Sequence, residues 1–319
     1  MRNLLAAWGL LLLPAMAQAC DVCGIFLGIQ PHDRTSSFSM LYRFRQLEGD
    51  LFSNPSKQAL AKHGGDGLGA VPLTGNDHYQ ELYQVVEWRA DVWLSDRFAV
   101  LASVPMVNNY RAVNGYIASD VYGVGDPLVI GRYLVANTKC LTEEERVVHR
   151  VMLGSGVKLP LGRSDMMYQD ALVAVDQQPG TGSWDLLGTL EYMVRNGRNG
   201  AAVNMVGRYN GSNADDYQLG HGLSTTAEAF RRWDFGEQVK FMPSLGLYHE
   251  LSGRDVENDV VVQGTGSSTL FTHVASRVWW RSWMLSATFQ YAVAYETGDL
   301  MVPNRMRFVT GITYNFINN

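Results

Sequence analysis

The chain has 319 residues, 46% hydrophobic and 11% aromatic, with Gly 32, Tyr 15 and Trp 8, and a formal net charge of -5. That mild acidity, with no basic tail or basic helix, excludes a nucleic-acid partner, and Cys 3 is too few for a disulfide scaffold. The mean hydropathy of -0.10 is compatible with a membrane barrel, where lipid-facing and lumen-facing residues alternate and cancel, while the lack of any later window of about 18 apolar residues excludes a helical membrane protein.

At the start of the chain, Arg2 precedes an apolar run from Leu4 to Leu13, then Pro14 and the small-residue site Ala17-Gln18-Ala19. Together they read as a secretory signal peptide over residues 1–19, too short to be a membrane helix. Cleavage there leaves Cys20 as the first residue of a periplasmic leader, residues 20–36. Lipidation of Cys20 is a minor expectation, because Ala17 stands where a lipoprotein site favours Leu. Cys20 and Cys23 can close a disulfide in an oxidising periplasm, cycle as a dithiol, or hold copper or zinc through two thiolates. Haem attachment is excluded, since Gly24 and not His follows Cys23. His32 is a candidate extra ligand, with a solvated turn histidine as the plainer reading, and Cys140 is a candidate partner for either leader cysteine.

From residue 37 onward the pattern has period two. Between Tyr79 and Leu94 the odd positions carry Glu81, Glu87, Arg89 and Asp91, and the even ones Leu82, Val86, Trp88, Ala90, Val92 and Leu94. After the turn Ser95-Asp96-Arg97, the run Phe98 to Arg111 repeats the arrangement, so the two form a hairpin with one greasy and one polar face. Their length exceeds the 5 to 6 residues, roughly, of a soluble strand and suits tilted membrane strands of about 9 to 11 residues with projecting tails. Similar segments follow at Asp126 to Ala136, Arg146 to Leu159, Trp184 to Arg195, Ala201 to Asn210, Tyr217 to Arg231, Val239 to Glu250, Thr269 to Trp280, Met284 to Tyr295 and Arg305 to Phe316, with Ser37 to Leu47 preceding the hairpin. The expected fold is all-β, a transmembrane antiparallel up-and-down barrel of about twelve strands over residues 37–319.

Connection lengths support this. Odd-numbered connections are long and expected outside: Glu48 to His78, Ala112 to Gly125, Pro160 to Ser183, Gly211 to Tyr217, Leu251 to Ser268 and Glu296 to Asn304. Even-numbered ones are short periplasmic turns, with Asn137 to Glu145 the long exception, and a soluble sandwich has no reason to show such parity. Trp88, Trp93, Trp184, Trp279, Trp280 and Trp283 fall near strand ends, where interfacial girdles are expected.

Period two assigns Arg43, Arg45, Arg89, Arg111, Arg132, Arg150, Lys158, Arg195, Arg208, Lys240, Arg277 and Arg307 to the lumen, with Glu81, Glu87, Asp91, Asp126, Asp185, Glu191, Glu228 and Glu250. In so narrow a barrel these should interlock as ion pairs, because an unpaired charge there carries a desolvation cost of several kcal/mol. The excess of basic groups predicts low conductance with preference for neutral or anionic solutes, rising when Arg89 or Arg132 becomes Ala. The plainer alternative is a solid barrel that anchors its loops.

Catalytic constellations are weak. A lipid hydrolase needs His beside Ser, and the candidates, His221 with Ser224 and His249 with Ser252, lack a close His-x-Ser grouping; period two puts both histidines on the lipid face. No Gly-Lys-Ser/Thr phosphate loop occurs. The glycines Gly123, Gly125, Gly162, Gly180 and Gly182 read as shaped turns at the rim, with positive φ or close backbone approach.

Gly123-Val124-Gly125-Asp126-Pro127 with Ile130-Gly131-Arg132-Tyr133, then Gly156 to Gly162, then Gln178-Pro179-Gly180-Thr181-Gly182-Ser183-Trp184-Asp185 with Gly188, resemble the outer-membrane family named for the MetA pathway of phenol degradation. The resemblance implies an outer-membrane barrel grouped with transporters. Cys20-Asp21-Val22-Cys23-Gly24 also resembles the leader of exported barrels with a CxxCG start. The reading is therefore a channel or transporter-like barrel in the outer-membrane bilayer for a small neutral or anionic solute, without catalytic residues. The alternatives are metal handling or sensing at Cys20 and Cys23 with the barrel as anchor, and a lipid hydrolase.

Overall fold

The computed structural model describes residues 34–52, 74–139 and 147–316. The signal segment, Cys20, Cys23, His32, Cys140 and Arg146 lie outside these residues. Twelve antiparallel strands form one closed barrel. They are β1 (Ser36–Phe52), β2 (Asn76–Trp93), β3 (Phe98–Val113), β4 (Leu128–Asn137), β5 (Val148–Lys158), β6 (Asp185–Asn196), β7 (Asn199–Asn210), β8 (Gly222–Arg231), β9 (Val239–Ser252), β10 (Ser267–Trp280), β11 (Trp283–Thr297) and β12 (Asn304–Phe316). Each pairs with its neighbours in the chain. The ring closes by pairing β1 with β12, Ser36 opposite Phe316 and Arg45 opposite Arg307, so no sheet edge is left along the wall.

Alternation explains why these segments close a barrel. On β2, Glu81, Glu87 and Asp91 are almost fully buried inside, while Trp88 and Val92 are exposed on the outer surface. The outer surface continues with Phe38 and Met40 on β1, Leu245 and Leu247 on β9, Val274 on β10 and Leu285, Phe289 and Tyr291 on β11. A contiguous apolar belt of this extent cannot face water and matches the hydrocarbon of a bilayer. Inside, Leu101, Leu128, Ile130, Leu187 and Val206 pack together. Met193, Ala202, Phe230, Met242 and Trp279 form a second apolar cluster, with Met284 against it, near the end that carries the short turns.

Several expectations need correction. Trp279 is not part of an interfacial girdle: it shares its parity with Arg277 and His273, so it points into the barrel, while Trp280 is exposed outside. Ala112 to Gly125 is not a loop, because Asn114 and Gly115, both at positive φ, make a tight hairpin turn and Tyr116–Val124 pairs back onto β3. The segment from Tyr217 splits: Tyr217–Gln218 pairs with Val256–Glu257 in a small sheet of the external loops, and the wall strand starts at Gly222. The long connection between β5 and β6 does not stay outside; its short 3-10 turn, Val175–Gln177, folds into the barrel.

Candidate functional site

The candidate site is the barrel interior and the segment folded into it. Asp176, Gln177 and Gln178 are almost completely buried. Arg111 on β3 donates from Nε to Glu81 at 2.9 Å and holds Asp176 Oδ2 at 3.1 Å from Nη2. Asn109 Nδ2 donates to the Gln177 carbonyl at 2.9 Å, and the Gln177 amide donates to the Tyr83 hydroxyl, which itself donates to Glu81 at 2.9 Å. Gln178 ties the two legs of the segment together, bonding the Met166 N–H and the Met166 and Val173 carbonyls. Asp176, the charged residue of the inserted plug Val175–Gln177, therefore meets an opposite charge on the wall, which desolvation demands.

The base of the same segment is fixed by Lys158. Its Nζ lies 2.9 Å from Asp126 Oδ2 and 2.9 Å from Asp185 Oδ2, and it also donates to the Thr181 hydroxyl. Asp126 accepts from the Gly162 N–H at 2.9 Å and the Thr181 N–H at 2.8 Å; Ser183 donates to Asp185 at 2.9 Å. The glycine-rich motifs, distant in sequence, converge here. A Cβ at Gly180 would stand 2.6 Å from the Gly162 carbonyl carbon, one at Gly162 2.8 Å from that of Gly125, and one at Gly125 2.8 Å from the Pro179 oxygen. Close approach, not positive φ, is what these three require, and of the five rim glycines Gly182 alone is at positive φ, 71°.

The remaining inner charges form further groups. Glu87 lies 3.1 Å from Arg43 and 2.6 Å from Arg89, and accepts from Ser103. Arg132 bridges Asp91 and Glu191, the latter at 3.0 Å. Arg277 lies 3.1 Å from Glu228, with His273 and Ser244 beside it, and Gln290 3.0 Å from His273. Glu250 pairs with Arg307 and, at 3.7 Å, with Arg45, and Tyr248 donates to it at 3.0 Å. Arg150 on β5 and Arg208 on β7 share the parity of this inner face, as do Arg195 and Lys240, which are half-buried near the short-turn end. Tyr83, Asn109, Ser103, His273, Gln290 and Tyr248 share that parity too. Nothing in the local pattern marks Asp176, because loop residues carry no period.

The histidine-serine candidates do not assemble. His249 Nε2 lies 2.9 Å from the Ser268 hydroxyl on the outer face, whereas Ser252 is buried inside. His221, in the external connection before β8, accepts the Asn210 N–H at Nδ1 and stacks on Tyr209 with ring centroids 4.0 Å apart. Partial desolvation lowers its imidazole pKa, against an opposing pull from Asp185.

No family model matches the chain, and no curated protein is similar to it. Among solved structures, the chain is similar to an outer membrane channel from Pseudomonas putida F1, with a TM-score of 0.57 and 13% identity over 91% of this chain and 100% of that one. It also matches the β domain of the Bordetella autotransporter BrkA at a TM-score of 0.43 and 12% identity, covering 89% of this chain and 100% of that one. The fold of this chain is thus that of an outer-membrane β-barrel.

Proposed function

We propose that the protein is an outer-membrane channel for small neutral or anionic solutes, constricted in this conformation by Val175–Gln177 and the charges that hold it. The observation carrying this reading is the inner wall itself: the twelve basic side chains of inward parity, the half-buried Arg43, Arg45, Arg195, Arg208 and Lys240 among them, outnumber the acids there, Asp77 and Asp176 counted with Glu81, Glu87, Asp91, Asp126, Asp185, Glu191, Glu228 and Glu250. The potential along the path is the sum over the whole inner wall, so the excess of basic groups there favours anions over cations. The solved outer membrane channel that shares the fold supports the same class of activity. Reconstitution in planar bilayers tests the proposal. Small conductance steps with a reversal potential favouring chloride over potassium are expected; a clear preference for potassium overturns the assignment, and a barrel that never conducts reduces it to an anchor for its loops.

A further inference from the structure

The end of the barrel carrying the short turns also carries β1's first residue and β12's last described residues, and it is the periplasmic end of an outer-membrane barrel. From β6 to β11 this rim combines exposed arginines with exposed aromatics. The turn residue Arg198 follows Gly197 at positive φ, and its carbonyl accepts the Arg232 N–H at 2.8 Å, which sets the two turns side by side. Arg231 lies outside the barrel wall, opposite in parity to the inward Phe230, with its guanidinium 5.5 Å from the Trp233 ring centroid. Arg281 lies 5.8 Å from the Trp280 ring, and its backbone N–H donates to the Gln238 carbonyl, which ties the next turn to the same surface. Of the nearby acids, Asp234 is engaged by Arg198 and Arg232, and Glu237 stands exposed. Arg231 and Arg281 thus keep their charge directed outward, each laid on an aromatic ring at the level where the apolar belt meets water. The opposite rim presents exposed carboxylates, among them Asp120, Asp165, Asp215 and Asp299, with Arg163 paired to Asp165 and Arg254 bonded to Gln263.

From this arrangement we infer that the periplasmic rim between β6 and β11 is a docking surface for anionic phospholipid headgroups of the adjoining leaflet. Charge complementarity selects the phosphodiester, since a guanidinium offers a fork of donors that fits two phosphate oxygens. Continuity with the apolar belt selects a lipid over a soluble anion: the acyl chains of a bound lipid lie along Trp233, Phe235 and Trp280, which are exposed on that side. Each basic side chain near an anionic surface contributes about fivefold in affinity.

The test uses the purified full-length barrel in detergent micelles doped with equal phosphatidylglycerol and phosphatidylethanolamine, with bound lipid counted by native mass spectrometry. The wild type is expected to retain phosphatidylglycerol over phosphatidylethanolamine by about fivefold or more. The double variant Arg231→Gln with Arg281→Gln should fall to near parity, and the charge-keeping pair Arg231→Lys with Arg281→Lys should retain most of the preference. A wild type without preference, or a Gln variant that keeps it, overturns the proposal. A salt titration of the wild type gives an answer that needs no variant: a preference indifferent to ionic strength is equally fatal to it.

Discussion

Asp176, carried by a loop, lies 3.1 Å from Arg111 on the barrel wall, and the same guanidinium bonds Glu81, so one arginine joins plug and wall. Asp176→Asn removes the charge that anchors the plug while keeping its shape. Losing one partner of a buried pair costs about 3–5 kcal/mol. Single-channel recording is expected to show larger and noisier conductance steps than in the wild type; unchanged steps would mean that the plug does not limit the path.

Lys158 is the counter-charge of two buried carboxylates, Asp126 and Asp185. Lys158→Met leaves both uncompensated and is expected to destabilise the barrel by about 3–5 kcal/mol in urea unfolding from lipid vesicles. Adding Asp126→Asn and Asp185→Asn to that variant should recover much of the loss. No recovery would show that Lys158 acts through packing and not through charge.

Arg132 holds Asp91 and Glu191 together on the inner wall. Arg132→Ala removes one positive charge and leaves two carboxylates facing the path. Conductance should rise while the preference for anions weakens or inverts, measured as a shift of the reversal potential toward that of potassium. A stronger anion preference in this variant contradicts the electrostatic account.

Trp279 and Trp280 are adjacent in sequence and opposite in environment, the first inside an apolar cluster and the second exposed on the outer face. Trp279→Ala opens a cavity among Met193, Phe230 and Met242 and is expected to cost about 3–5 kcal/mol. Trp280→Ala should cost clearly less in the same unfolding assay, since lipid fills the space it leaves. Equal losses would refute the assignment of the two faces.

The pKa of His221, in the external connection before β8, is lowered by partial desolvation. A folded pKa below the unfolded value means that its contribution to stability is fully present above the ordinary pKa of 6.5 and is lost as pH falls through the lowered one. Protection factors across residues 211–221, with the intrinsic pH dependence of amide exchange divided out, should therefore fall as the pH drops below about 6.5, and His221→Gln should remove that fall. Protection factors in the wild type that stay constant over this pH range would disprove it.

Local sequence was sufficient for the strands, because a strand's two faces meet different solvents and period two is written into every segment: Glu81, Glu87 and Asp91 against Trp88 and Val92 is the pattern of a wall with polar contents and a lipid exterior. The same rule carried the barrel class. It had no purchase on Val175–Gln177 or on Asp176, whose side chains follow no period, nor on Asn114-Gly115, where a tight turn inside a long connection extends β3.

The chain by itself also determined that buried charges had to be matched, since each is costly alone. Tertiary structure decided which charge meets which. Arg45 on β1 reaches Glu250 on β9, four strands away round the ring, only because closure curves those strands toward one another. Gly125, Gly162 and Gly180 meet only because β4, β5 and β6 end at one level and their connections fold over a shared Lys158. Periodicity is a property of neighbours along the chain, whereas the choice of partners across the lumen depends on register, curvature and closure, which belong to the whole barrel.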